Sequence, residues 1–190
     1  MLFRSINTGG EGWLGRVGVG CDYQIAPSFV IGAFGDYDFM NLKGTFLVPV
    51  NGLIGEEKQT SSWAAGGRIG YLPYPGLMTF VSAGYTEARF DAFNLVTSGV
   101  PSFSTSFSVP ATTYRGWFLG GGYEYRLPWA GFSGLYWKTE YRYNKYDTLD
   151  VPYAPLAATL TATNMQKSVQ TITTSLVWKF NWGGPVRAAY

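Results

Sequence analysis

Along most of the chain apolar and polar residues alternate with a period of two, not with the 3.6-residue period of a helix. The clearest case is 135–147. One face carries Leu135, Trp137, Thr139, Tyr141 and Tyr143; the other carries Lys138, Glu140, Arg142 and Asn144. Successive side chains of a strand point to opposite faces, so this segment has one face in lipid or a core and one in a polar space. The same alternation predicts strands at 13–24, 29–40, 62–72, 77–90, 113–126 and 169–180. Parity sets Trp13, Val17, Val19 and Tyr23 against Arg16, Asp22 and Gln24, and Phe29, Ile31, Ala33, Tyr37 and Phe39 against Asp36 and Asp38. It sets Trp63, Ala65, Ile69 and Tyr71 against Arg68, and Trp117, Leu119, Tyr123 and Tyr125 against Glu124 and Arg126. In the last strand Ile172, Leu176, Trp178 and Phe180 oppose Ser175 and Lys179. In 77–90 Leu77, Val81, Ala83 and Tyr85 are outer, and Glu87 and Arg89 follow them outward at the loop end.

Each segment is near the ~9–11 residues that a tilted strand needs to cross a bilayer. The connections alternate in length. Those at 25–28, 73–76 and 127–134 are tight and rich in Pro, Gly or Ser; those at 41–61, 91–112 and 148–168 are long. Short turns on one side and long loops on the other are how outer-membrane barrels are built. Aromatics gather at both ends of the strands. Tyr23, Phe29, Tyr71, Tyr125, Trp129, Phe132, Trp137 and Phe180 lie near the turns; Trp13, Tyr37, Phe39, Trp63, Tyr85 and Tyr143 lie nearer the loops. Two such belts suit headgroup level on both sides of a membrane. The expected fold is therefore all-β: a transmembrane, antiparallel, up-and-down barrel.

Composition supports a wall with one lipid face and one polar face. Aromatics make up 18 % of the chain and charged residues only 14 %, yet the mean hydropathy is −0.00. No run approaches the ~18 apolar residues of a spanning helix, so a membrane-crossing form must be a closed barrel. Glycines recur on inner faces, at Gly18, Gly20, Gly32, Gly66, Gly70, Gly84, Gly120 and Gly122, where small residues relieve crowding in a narrow lumen. Net charge is +2 with scattered Lys and Arg, which argues against nucleic acid.

Candidate chemistry is limited. The chain has no His and one cysteine, Cys21, which removes His-based catalysis, an internal disulfide and a cysteine metal cage. The expected lumen set is Arg16, Asp22, Asp36, Asp38, Arg68, Glu124, Arg126, Lys138, Glu140, Arg142 and Lys179. Charges in a narrow lumen are tolerable when paired or hydrated, so the expectation is a structural ion-pair network. A polar track for small solutes is the alternative use. Asp36 with Asp38, or Glu124 with Glu140, could in principle do acid/base work, but acids among so many cations read as salt-bridged. No catalytic, cofactor or metal site is expected. Glu56, Glu57, Asp91, Asp147 and Asp150 are loop acids that could meet a hard cation, without supporting ligand spacing. The Ser/Phe alternation at 102–108 reads as strand rising above the membrane, and Phe46-Leu47-Val48 as an apolar loop tip that could make contacts.

The segments 15–24, containing Gly20-Cys21-Asp22-Tyr23-Gln24, and 31–39 resemble the hairpin of small alpha-proteobacterial outer-membrane proteins. So do Gly116-Trp117-Phe118-Leu119-Gly120-Gly121-Gly122-Tyr123-Glu124-Tyr125 and the ending Leu176-Val177-Trp178-Lys179-Phe180-Asn181-Trp182-Gly183-Gly184-Pro185-Val186. These are the outer-membrane immunogenic or porin-family proteins, with an eight-stranded OmpA/OmpX-like barrel. The resemblance implies a surface-exposed envelope protein with extracellular loops, in contact with outer-membrane lipids and lipopolysaccharide. It implies insertion by the barrel-assembly machinery, with Trp178 and Phe180 placed like the aromatic insertion signal of a last strand. Ten residues follow Phe180, whereas such a strand often ends at its Phe. Some relatives are linked to haem; without His, only Tyr or Met could be an axial ligand here.

The leading reading is a structural or surface-interaction barrel whose long loops carry any surface ligand. A small-solute or ion pore is the alternative, and a soluble ligand-binding barrel the second alternative; the last should have an apolar lumen and polar exterior. The expected organisation is a non-native or loop remnant at 1–10, the barrel at 11–182 and a C-terminal extension at 183–190. Seven strands are an odd count, whereas bacterial single-chain barrels have an even number. With no export signal before Glu11, the expectation is a barrel of eight-stranded type that lacks its first strand. Leu2-Phe3-Arg4-Ser5 even back-translates as CTC TTC CGA TCT, a common sequencing-adapter stretch. An open seam or a strained closure should then separate the first and last strands.

Overall fold

A computed structural model describes residues 10–48, 53–97, 107–128, 134–155 and 161–180. In chain order the strands are β1 (Gly10–Ala26), β2 (Phe29–Val48), β3 (Leu53–Tyr74), β4 (Leu77–Phe90), β5 (Phe93–Thr97), β6 (Phe107–Val109), β7 (Thr112–Arg126), β8 (Leu135–Tyr146), β9 (Leu149–Pro155), β10 (Thr161–Met165) and β11 (Ser168–Trp178). The long strands β1, β2, β3, β4, β7, β8 and β11 pair antiparallel in that order as a meander that curls into a nearly closed barrel. No helix occurs among the described residues.

The turns follow from local chemistry. Gly76 and Gly134 adopt φ of 93°, a left-handed value open to glycine, at the two turns leading into β4 and β8. On the opposite side the strands run on well past the aromatic belt. The stretch 41–61, expected to be loop, is strand on both arms of a hairpin: β2 continues to Val48 and β3 begins at Leu53. Likewise β5 and β6 occupy part of 91–112, and β9 and β10 part of 148–168. The reason is physical: beyond the aromatic rows the outer face turns polar, so apolar alternation stops while backbone pairing continues. Lys43 and Glu56, 2.8 Å apart on the exposed face, mark that change. Trp129, Phe132 and 102–106 lie outside the described residues, as do the side chains of Phe46-Leu47-Val48.

β1 and β11 are the ends of the meander. Six successive antiparallel pairings leave them running in the same direction, and no backbone pairing joins them among the described residues. Side chains cross the gap instead. Lys179, just past β11, lies 3.3 Å from Asp22 of β1, and Arg16 of β1 lies 3.3 Å from Glu140 of β8.

Candidate functional site: the ion-paired lumen and the uncharged outer wall

The outer wall is built by parity. Val19, Leu119, Ile172 and Leu176 are 83 %, 55 %, 75 % and 63 % exposed, values no soluble core position would show. Two aromatic rows bound this face. In β2, β3 and β7 the rows stand eight residues apart: Phe29 and Tyr37, Tyr71 and Trp63, Tyr125 and Trp117. Eight residues span about 26 Å along a strand, or about 20 Å of height at a ~40° tilt, near the ~25 Å of an outer-membrane apolar band. Neighbouring strands bring the rings together: Phe29 and Tyr71 at 5.4 Å on the turn side, Trp63 and Tyr85 at 5.5 Å and Trp117 and Tyr143 at 6.1 Å on the loop side. Among the described residues no charged side chain points outward between the rows. The first outward charge is Glu87, which accepts from Trp63 Nε1 at 3.2 Å and Tyr85 Oη at 2.6 Å and pairs with Arg115 Nε at 3.1 Å. Trp178 and Phe180 stack at 5.8 Å and are 49 % and 70 % exposed.

The lumen holds two ion clusters. Near the turns, Arg68 of β3 donates Nε to Asp22 at 2.8 Å and Nη1 to Glu124 of β7 at 2.5 Å. Lys179 completes this group, 2.6 Å from Glu124. Higher up, Arg142 of β8 grips Asp36 with both terminal nitrogens, at 2.9 and 2.8 Å, and donates to Glu140 at 3.1 Å. Arg16 makes a second fork to Asp38, at 2.6 and 2.9 Å, and Lys138 lies 3.0 Å from Glu140. Ser62 donates to Asp38 and Ser82 to Glu140, both at 3.1 Å. Ten of the eleven expected lumen residues therefore fall in two groups, five acids and five cations, so their formal charges cancel. Arg126 stands exposed at the turn end of β7. Fixed forks suit this crowded space because guanidinium matches carboxylate geometry.

Glycines leave room for the clusters. A Cβ at Gly32 would run into the Asp22 carboxylate and the Arg68 stem, and one at Gly66 or Gly84 into the Phe118 ring. Phe118 is also the platform for Arg142, whose guanidinium lies 4.4 Å from the ring centroid.

Sequence reasoning missed two features of the interior. The first is apolar: Val30, Leu72, Met78, Phe80 and Tyr136 form a buried cluster toward the turns. Their inward parity was the available signal. The second is at the loop end. Lys167 pairs with Glu57 and lies 4.0 Å from the centroid of Phe90 and 4.6 Å from that of Tyr114. Of the loop acids, Glu57 and Glu56 are thus ion-paired, and Asp91 accepts from Thr60 at 3.3 Å. Among the described residues no three His, Cys, Asp or Glu side chains gather as a metal site.

The comparisons with known proteins fit this architecture. The chain is similar to the 31 kDa outer-membrane immunogenic proteins of Brucella melitensis biotype 1 and Brucella suis biovar 1. In each, 126 aligned residues are 27 % identical and cover 65 % of this chain and 51 % of the relative. The chain thus spans about half the length of the curated relatives it matches. No family model matches it, and no solved structure matches it. Likeness to proteins named for the outer membrane, together with a nearly closed antiparallel barrel, supports an outer-membrane protein family for this chain.

Proposed function

We propose that this chain is a plugged outer-membrane barrel with a structural and surface-interaction role in the bacterial envelope, and not an enzyme. The observation that carries this reading is the pairing of an uncharged, aromatic-bounded exterior with a filled, charge-neutral interior. A soluble ligand-binding barrel would invert that arrangement. In the lumen Arg142, Glu124, Glu140, Phe118 and Met78 are all at most 1 % exposed, which leaves side chains where a solute path would run. Outer-membrane lipids and lipopolysaccharide then cover the band, with the turns periplasmic and the loops extracellular. The exposed Trp178 and Phe180 serve as the handle for the barrel-assembly machinery. Any surface ligand meets the long strand extensions, and the net charge of +2 with scattered Lys and Arg argues against nucleic acid.

Reconstitution into planar bilayers and vesicles tests the reading. The protein should insert, shift its gel mobility on heating and give at most very small conductance. Stable openings that pass sugars would establish the pore in its place. A protein that stays in water without detergent and ignores vesicles would establish the soluble barrel.

A further inference from the structure

At the loop end of the lumen three strands each supply one wall of a box. Glu57 of β3 gives a carboxylate, Phe90 of β4 one ring face and Tyr114 of β7 another. The two rings meet nearly at right angles, with centroids 5.3 Å apart and planes at 82°. The occupant is an ammonium: Lys167 Nζ lies over both faces and against the carboxylate. Phe90 and Tyr114 are buried to 7 % and 1 % exposure, and the Lys167 and Glu57 side chains to 13 % and 17 %. Two perpendicular aromatic faces and an anion are the components of an alkylammonium receptor, and desolvation strengthens each contact. The box belongs to the barrel wall. Its occupant comes from the connection between β10 and β11, tied there by the Tyr146 N–H donating to the Lys167 carbonyl at 2.9 Å. β10 pairs only with β9 among the described residues.

We propose that Glu57, Phe90 and Tyr114 form a binding site for primary alkylammonium ligands, held shut by Lys167. The chain's own lysine is an intramolecular competitor, and an external ligand such as a polyamine displaces it and frees the β10–β11 connection. A tethered group has an effective concentration of order millimolar, so an external amine competes above about that level.

The test is the rate of proteolytic cutting in the β9–β11 region of the full chain, folded in detergent, with n-butylammonium as probe. Lys167→Ala should raise that rate about thirtyfold, the weight of one desolvated ammonium–aromatic contact. Butylammonium should then act with opposite signs in two proteins. It should slow cutting of Lys167→Ala by refilling the box, and speed cutting of the parent by expelling Lys167. n-Butanol should do neither, and Lys167→Ala combined with Glu57→Gln should lose the rescue. Lys167→Met fills the box with an uncharged side chain and serves as the folded control that does not respond. Equal rescue by butanol and butylammonium would reduce the box to a hydrophobic seat and overturn the proposal. So would no response in either parent or Lys167→Ala while gel mobility shows both folded.

Discussion

Arg142→Met is the sharpest perturbation of the lumen. The Arg142 side chain is 2 % exposed and its partners Asp36 and Glu140 are 5 % and 1 % exposed. The substitution keeps the stem's volume and removes both hydrogen bonds to Asp36 and the two to Glu140. Asp36 is left with Arg16 Nε at 3.9 Å, and Glu140 with Arg16 and Lys138. An uncompensated buried carboxylate makes breaking such a pair cost about 3–5 kcal/mol. Neutralising the orphan should help: Arg142→Met with Asp36→Asn should be more stable than the sum of the single changes predicts, by about 1–3 kcal/mol. The measurement is urea unfolding in lipid vesicles, followed by tryptophan fluorescence and checked by gel mobility, for the parent, both single variants and the double variant. A cost within about 1 kcal/mol for Arg142→Met, or strict additivity in the double variant, would refute the claim that the clusters are dry and mutually dependent.

Leu119→Arg places a charge in the middle of the outward band and should cost about 2–4 kcal/mol in the same vesicle titration; a cost near zero would move that face out of the bilayer. In the turn-side cluster Arg68 holds both Asp22 and Glu124, whereas Lys179 is a second cation on each, so Arg68→Met should cost about 3–5 kcal/mol and Lys179→Met about 1.5–3. Equal costs would mean that Lys179 is no mere supplement but a tie across the gap between β11 and β1.

The alternation of residues by itself determined the class of fold, the strands and the side of the wall on which most side chains stand. The reason is that a strand has period two, so one anchored residue assigns its neighbours to lipid or lumen. Leu119 and Trp137 outside, Glu124 and Glu140 inside, needed nothing more. Which charges meet was beyond reach of that rule. Arg142 finds Asp36 across 106 residues, and Arg68 finds Glu124 across 56, because strand stagger and barrel curvature set their heights. Parity also fails where a bulge intervenes. The register of β3 against β4 shifts between Gln59 and Ser61, so odd positions, outer at Trp63 and Ile69, become inner at Glu57. The box around Lys167 depends on that single shift. The length of the strands above the bilayer was hidden as well, since water accepts polar residues on both faces and leaves no apolar period to read. Hydrophobic period fixes the part of the wall that lipid touches; register, bulges and curvature, which exist only in the folded chain, decide the pairing within it.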